Sequence, residues 1–177
     1  MIDAQGYRAN VGIVLCNEAG HLFWGRRVGQ NAWQFPQGGI KRAEDAEAAM
    51  FRELHEEVGL RPDQVKVLAR SSGWLRYRIP QKFVRRDCRP LCIGQKQAWF
   101  LLQLTGGDNC VCLDHGPRPE FEAWRWVDYW YPPRNVIAFK RKVYRLALSE
   151  FAPHLGKPLP AAGETLPRAA PQACLAV

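Results

Sequence analysis

Four glutamates, one arginine and two glycines stand at fixed intervals between Gly38 and Leu60, in the run GGIKRAEDAEAAMFRELHEEVGL. Glu44 follows Gly38 by six positions, and Arg52 and Glu53 follow Glu44 by eight and nine. Leu54, Glu56, Glu57, Gly59 and Leu60 complete the set. At roughly 6% frequency per position, seven such matches arise by chance on the order of once in 10⁸ windows or fewer. Carboxylates at this density offer an oxygen-rich site for hard cations.

The spacing matters because the window predicts a helix. Asp45 is a good N-cap, Glu47 places a carboxylate in the first turn, and Gly59 supplies the stop. With Met50 taken as zero at about 100° per residue, Ala46, Leu54 and Val58 fall at about −40°, +40° and +80°, which is the buried stripe. Glu57 falls at about −20°, inside that stripe, and Glu53 and Glu56 lie beside it at about −60° and −120°. A carboxylate on a core-facing stripe is costly without a partner, and three on one side repel one another. A solvated acidic face would account for Glu47 but not for Glu57. Divalent metal resolves both costs at once.

The window resembles the Nudix box, G-x5-E-x7-R-E-U-x-E-E-x-G-U with U aliphatic, at every position. The resemblance implies a loop–helix–loop that binds magnesium or manganese and hydrolyses a nucleoside diphosphate linked to another group.

The rest of the chain sets bounds. Its 177 residues suffice for one domain with a real core. A hydrophobic content of 47% and a charged content of 24% fit a globular soluble protein. No basic-then-apolar leader is visible in MIDAQGYRAN, and no apolar run approaches a membrane span, so a cytoplasmic protein without membrane contact is expected. Six cysteines are then expected to stay reduced. Cys88-x3-Cys92 with Cys110-x-Cys112 is an unusual spacing for zinc.

Strand-like runs occur at 10–16, 21–26, 33–35, 65–70, 74–79, 97–104 and 123–127, with a turn signal at 17–20. A second helix is expected at 135–151, where Val136, Phe139, Val143, Leu146 and Ala147 recur at helical spacing. This is an α/β pattern, a mixed β-sheet with two main helices, and it suits the α/β/α sandwich that the Nudix resemblance implies. The hydrolase domain is expected over 1–151, with the box at 38–60. A Pro/Ala-rich tail expected to be disordered follows at 152–177.

The net charge of +8 is concentrated. Arg70, Arg76, Arg78, Lys82, Arg85, Arg86 and Arg89 form one segment, and Arg134, Lys140, Arg141, Lys142 and Arg145 another. Together they hold twelve of the 25 basic residues and one of the 17 acids, so the remainder has more acids than bases. Localised positive charge marks a polyanion-binding face or a solvated basic loop. Trp74, Tyr77 and Phe83 interleave the first segment, and aromatics beside arginines suit unpaired bases. Next to a metal–phosphate site, nucleic acid is the better reading.

Outside the box, the chain is similar to bacterial RNA pyrophosphohydrolases of the Nudix family, close relatives of dinucleoside polyphosphate hydrolases. The similarity rests on GYRANVGIVLCN (6–17), WQFPQGGI (33–40), WLRYRIP (74–80), CIGQKQAWFLLQL (92–104), PEFEAWRWVDYWYP (119–132) and the Phe139-Lys140-Arg141 segment. It implies removal of pyrophosphate from a single-stranded, 5′-triphosphorylated RNA end to leave a 5′-monophosphate, which promotes mRNA decay. Carried over by position, Glu53, Glu56 and Glu57 are metal ligands or bases, Glu120 joins them, and Gly38 brings backbone close to metal or phosphate. Any one of the three box glutamates could be the base. Arg52 is expected to orient carboxylates. Arg8, Arg27 and Lys140 would hold phosphates, Tyr77 and Gln95 would lie near the RNA end, and Ile137 and Phe139 would lie against a base. The chain departs at Ala32, where relatives commonly carry serine, at Ile137, where they often carry valine, and over 108–118. A hydrolase of small dinucleoside polyphosphates needs the same helix without the basic face. A non-catalytic RNA-binding module conflicts with the intact box.

Overall fold

The computed structural model describes residues 2–84, 89–115 and 118–160. Arg85, Arg86, Asp87, Cys88 and most of the tail, with Cys174, lie outside the described residues. The strands are β1 (Tyr7–Cys16), β2 (Leu22–Arg27), β3 (Trp33–Gln34), β4 (Gln37–Gly39), β5 (Val65–Arg70), β6 (Leu75–Arg78), β7 (Gly94–Leu104) and β8 (Phe121–Val127). The helices are α1 (Ala46–Val58), α2 (Pro132–Asn135) and α3 (Arg141–Phe151). All eight strands join one mixed sheet along the path β3-β2-β1-β7-β5, with β4 on β1, β6 on β7 and β8 on β2. β1 runs parallel to β7 from Tyr7↔Gly94 to Cys16↔Gln103, whereas its other pairings are antiparallel.

Alternation along β1 builds the layers. Val11, Ile13 and Leu15 face a core shared with Met50, Leu54 and Val58 of α1. Val14 and Cys16 face the opposite core, with Trp24, Phe35 and Trp99 against Tyr144, Leu148 and Phe151 of α3. The sheet is therefore sandwiched between α1 and α3, the α/β arrangement expected from the sequence.

Two expectations need correction. β4 falls where no strand is expected, because Gln37, Gly38 and Gly39 offer too little side-chain alternation to signal one. The helix expected at 135–151 is broken. Pro132 and Pro133 start the short α2, the chain extends at Val136 and Ile137, a 3₁₀ turn spans Ala138–Lys140, and α3 begins only at Arg141. The described chain continues past residue 151. Ala152–Leu155 form a 3₁₀ turn with Ala152 fully buried, and Trp130 Nε1 donates to the Pro158 carbonyl.

Candidate active site

α1 forms as its ends dictate. Asp45 accepts from the Ala48 N–H at 2.8 Å, and Gly59 closes the helix in the left-handed region at φ 74°. The helix lays its acidic side beside β4. Its charges are organised by Arg52, whose Nε and Nη2 donate to Glu44 at 2.7 and 2.9 Å. Arg52 Nη1 donates to Glu53 at 2.6 Å and to Glu56 at 3.1 Å, and Nη2 reaches the Gly39 carbonyl at 2.8 Å. The arginine thus orients carboxylates, and its hydrogen bonds hold the Glu44 carboxyl down at about 2. Glu56 also meets Lys41 Nζ at 3.6 Å.

Glu53 is only 8% exposed, and burial raises its carboxyl above the ordinary range against the pull of Arg52. The wheel puts Glu57 inside the buried stripe and Glu53 beside it; the structure encloses both, and Glu53 is the less solvent-exposed of the two. The reason is local: Gly38 lies directly under the Glu53 carboxylate, where any side chain would overlap it. Glu57 accepts from the Gln37 N–H at 3.1 Å. Burial, then the charges of Glu120 and Glu53, push its carboxyl well above the ordinary value.

Glu120 arrives from the far end of the chain because β8 pairs with β2, setting Phe121 opposite Arg27 at an irregular step. Its carboxylate accepts from Arg27 Nε at 2.7 Å and from Gln34 Nε2 at 3.5 Å.

A cleft of about 660 Å³ opens at this end of the sheet, lined by Arg8, Arg27, Tyr77, Gln95, Glu120, Phe139 and Lys140 among others. The structure thus brings together six of the seven substrate-side residues expected from sequence. Ile137 is not in that lining; it precedes the 3₁₀ turn that swings Phe139 and Lys140 inward, and it is 44% exposed. Tyr77 donates to Gln95 Oε1 at 2.6 Å, and its ring lies 5.7 Å from that of Phe139. Lys140 is buried, and burial with the nearby Arg27 charge lowers its ammonium to about 8.

Sequence reasoning missed the role of two glutamines. Gln34 and Gln37 accept from Lys140 Nζ at 2.9 and 3.0 Å. Gln37 also gives its backbone N–H to Glu57, so one residue couples the cationic cleft to the acidic helix. Both lie inside the WQFPQGGI run; their uncharged side chains carry no signal of their own.

Among the described residues no three carboxylate, imidazole or thiolate side chains converge into a closed metal cage. The zinc spacing finds no support there: Cys92 borders the cleft whereas Cys110 packs against the α1 core. The acidic side of α1 nevertheless fits a hard divalent cation. Its donors are all carboxylate oxygens, and two of them are made less acidic than usual by burial and mutual repulsion, which bound positive charge would relieve. No helix of the described residues is long and apolar enough to cross a membrane.

Comparison with known proteins agrees with this geometry. The NUDIX domain family model matches residues 6–147. An RNA pyrophosphohydrolase of Shewanella denitrificans is 61% identical over 153 residues, 86% of this chain and 89% of that protein. One of Hahella chejuensis is 59% identical over 157 residues, 89% of this chain and 98% of that protein. Among solved structures, the E. coli dihydroneopterin triphosphate pyrophosphohydrolase covers 81% of this chain and 98% of its own at a TM-score of 0.64 and 18% identity. A C. elegans Ap4A hydrolase covers 82% and 98% at 0.60 and 19%. At those identities the structural likeness speaks for the fold alone.

Proposed function

The chain belongs to the Nudix family and is a hydrolase of pyrophosphate bonds, and from that premise we propose that it removes pyrophosphate from the 5′-triphosphate end of single-stranded RNA. The observation that carries this reading is one cleft holding three cationic side chains, three neighbouring aromatic rings and a carboxylate, coupled through Gln37 to the acidic face of α1. Relatives about 60% identical carry the name RNA pyrophosphohydrolase, which supports RNA as the polyphosphate's carrier.

In this reading Arg8, Arg27 and Lys140 hold the phosphates, and Tyr77, Phe139 and Gln95 meet the first nucleotides. Gln34 and Gln37 fix Lys140 so that its ammonium points into the cleft. Glu53, Glu56 and Glu57, with Glu120, would hold magnesium or manganese, which when bound neutralises phosphate charge and makes a water acidic. One box glutamate takes a proton from the attacking water as the water's oxygen joins phosphorus. The phosphoanhydride bond breaks, pyrophosphate leaves, and a 5′-monophosphate stays on the RNA. Arg52 holds Glu53 and Glu56 in place. Gly38 leaves room for Glu53 over the backbone. We place the end of the hydrolase domain near residue 158, where Trp130 Nε1 holds the backbone carbonyl. We place the enzyme in the cytoplasm, where its RNA would be found.

Incubation with 5′-triphosphorylated RNA and Mg²⁺ tests this. The expected products are pyrophosphate and 5′-monophosphorylated RNA, with all turnover lost on chelation. Release of single phosphates that leaves a 5′-diphosphate would contradict the assignment.

A further inference from the structure

Behind the cleft the sheet buries an amide that the site described above does not use. Gln97 on β7 is 0% exposed, and two and four residues further along the strand Trp99 and Leu101 are apolar and equally buried. Asn10 stands opposite Gln97 on β1, and Leu75 opposite it on β6. Gln97 Nε2 donates to Gln37 Oε1 at 3.4 Å, the oxygen that also accepts from Lys140 Nζ at 3.0 Å. The Oε1 of Gln97 has no hydrogen-bond partner among the described residues, and neither has Oδ1 of Asn10, which is 3% exposed. A buried amide oxygen left unpaired costs stability, so an apolar side chain of the same length would suit the fold better at position 97. A residue that works against its own surroundings is expected where a site needs it.

Gln37 shows what that need is. It projects from β4, and because β4 and β7 both pair with β1, Gln37 and Gln97 meet across that strand. A glutamine amide has an accepting and a donating end, and the wrong end of Gln37 would turn N–H groups on the Lys140 ammonium. Gln97 from behind and Lys140 from the cleft both place donors at the same oxygen, so the Gln97 contact favours the one orientation of Gln37 that anchors the lysine. The same polarity runs through the cleft. Gln34 Oε1 accepts from Lys140 at 2.9 Å, and Gln95 Oε1 accepts from the Tyr77 hydroxyl at 2.6 Å. With their oxygens turned to protein donors, these amides leave N–H groups for an anion. We infer that Gln97 is a positioning residue for phosphate binding: from inside the sheet it sets the Gln37 amide and, through it, the place of the Lys140 ammonium. The inference rests on the reading above in which Lys140 holds the polyphosphate, and it adds the residue that holds the lysine's anchor.

The test is a double-mutant cycle on the full chain with 5′-triphosphorylated RNA and Mg²⁺. Gln97→Met keeps the side chain's length and removes its donor. It should lower kcat/KM about fivefold, chiefly by raising KM, as expected when one neutral hydrogen bond behind a phosphate anchor is lost. Its melting temperature should equal or exceed that of the wild type, because the unpaired buried amide is gone. Lys140→Gln combined with Gln97→Met should be no slower than Lys140→Gln alone, because one residue acts through the other. Losses that add in the double variant would overturn the positioning role. So would a Gln97→Met enzyme with wild-type kinetics, or one that melts well below the wild type. If Lys140→Gln alone costs nothing, the phosphate reading fails and the role of Gln97 falls with it. A wild type that cleaves diadenosine tetraphosphate but not RNA fails the RNA reading alone, and the same cycle run on the dinucleotide then decides Gln97.

Discussion

At the scale of single residues, Glu57 and Lys140 carry the two sides of the chemistry. Glu57 is made less acidic than usual by burial and by Glu120 and Glu53, so ionising it in the metal-free fold is costly. Glu57→Gln should therefore keep or raise the metal-free melting temperature while lowering kcat by at least about 10²-fold. Thermal denaturation beside steady-state kinetics checks both halves; a destabilised but active variant would contradict the role. Lys140 has its ammonium lowered to about 8, whereas the unfolded chain keeps that proton to about 10. Between those values the unfolded state binds more protons, so this group's contribution to stability rises with pH. Phosphate binding needs the charged form and runs the other way. The kcat/KM profile of the wild type should bend downward near pH 8, and Lys140→Gln should lose the bend and about tenfold in kcat/KM. Glu53, Glu56, Glu57 and Arg52 were legible in the sequence because their charges sit at a fixed period on one helix. Gln34 and Gln37 were not, because an amide's role depends on which charges the fold brings to it.

At the scale of elements, the site is an acidic helix set against a short glycine strand. Asp45→Ala removes the N-cap of α1 and should cost about 1 kcal/mol, seen as a drop of roughly 2–4 °C in melting temperature with kcat retained. Gly38→Ala puts a methyl group where the Glu53 carboxylate lies, so kcat/KM should fall by about 10²-fold in a folded protein. Circular dichroism and kinetics on the two variants separate holding the helix from placing its ligand. α1 was readable from end to end because its caps and its periodicity agree. The second helix was not: Val136 and Phe139 keep helical spacing with α3, yet the 132–140 stretch breaks into two short turns that deliver Phe139 and Lys140 to the cleft. β4 escaped notice because its identity lies in pairing Val11↔Gly38, a long-range contact that three residues cannot announce.

At the scale of the whole molecule, parallel pairing of β1 with β7 and the β2–β8 ladder gather Arg8, Arg27, Gln95 and Glu120 at one end of the sheet. That convergence was expected from family resemblance and has no local signal in the sequence, since Glu120 alone reads as a surface acid. Ending the chain after residue 160 should leave melting temperature and RNA turnover within error of the full chain, because every residue assigned to the site lies before it and Trp130 already holds Pro158. Loss of activity on truncation would place part of the site in the tail. The central claim is that the polyphosphate cleaved here sits on an RNA end. Measuring kcat/KM for 5′-triphosphorylated RNA and for diadenosine tetraphosphate in parallel, with Mg²⁺, addresses it most directly. The account predicts a large preference for the RNA, with a steep fall in its rate as salt rises. A large preference for the dinucleotide would contradict it.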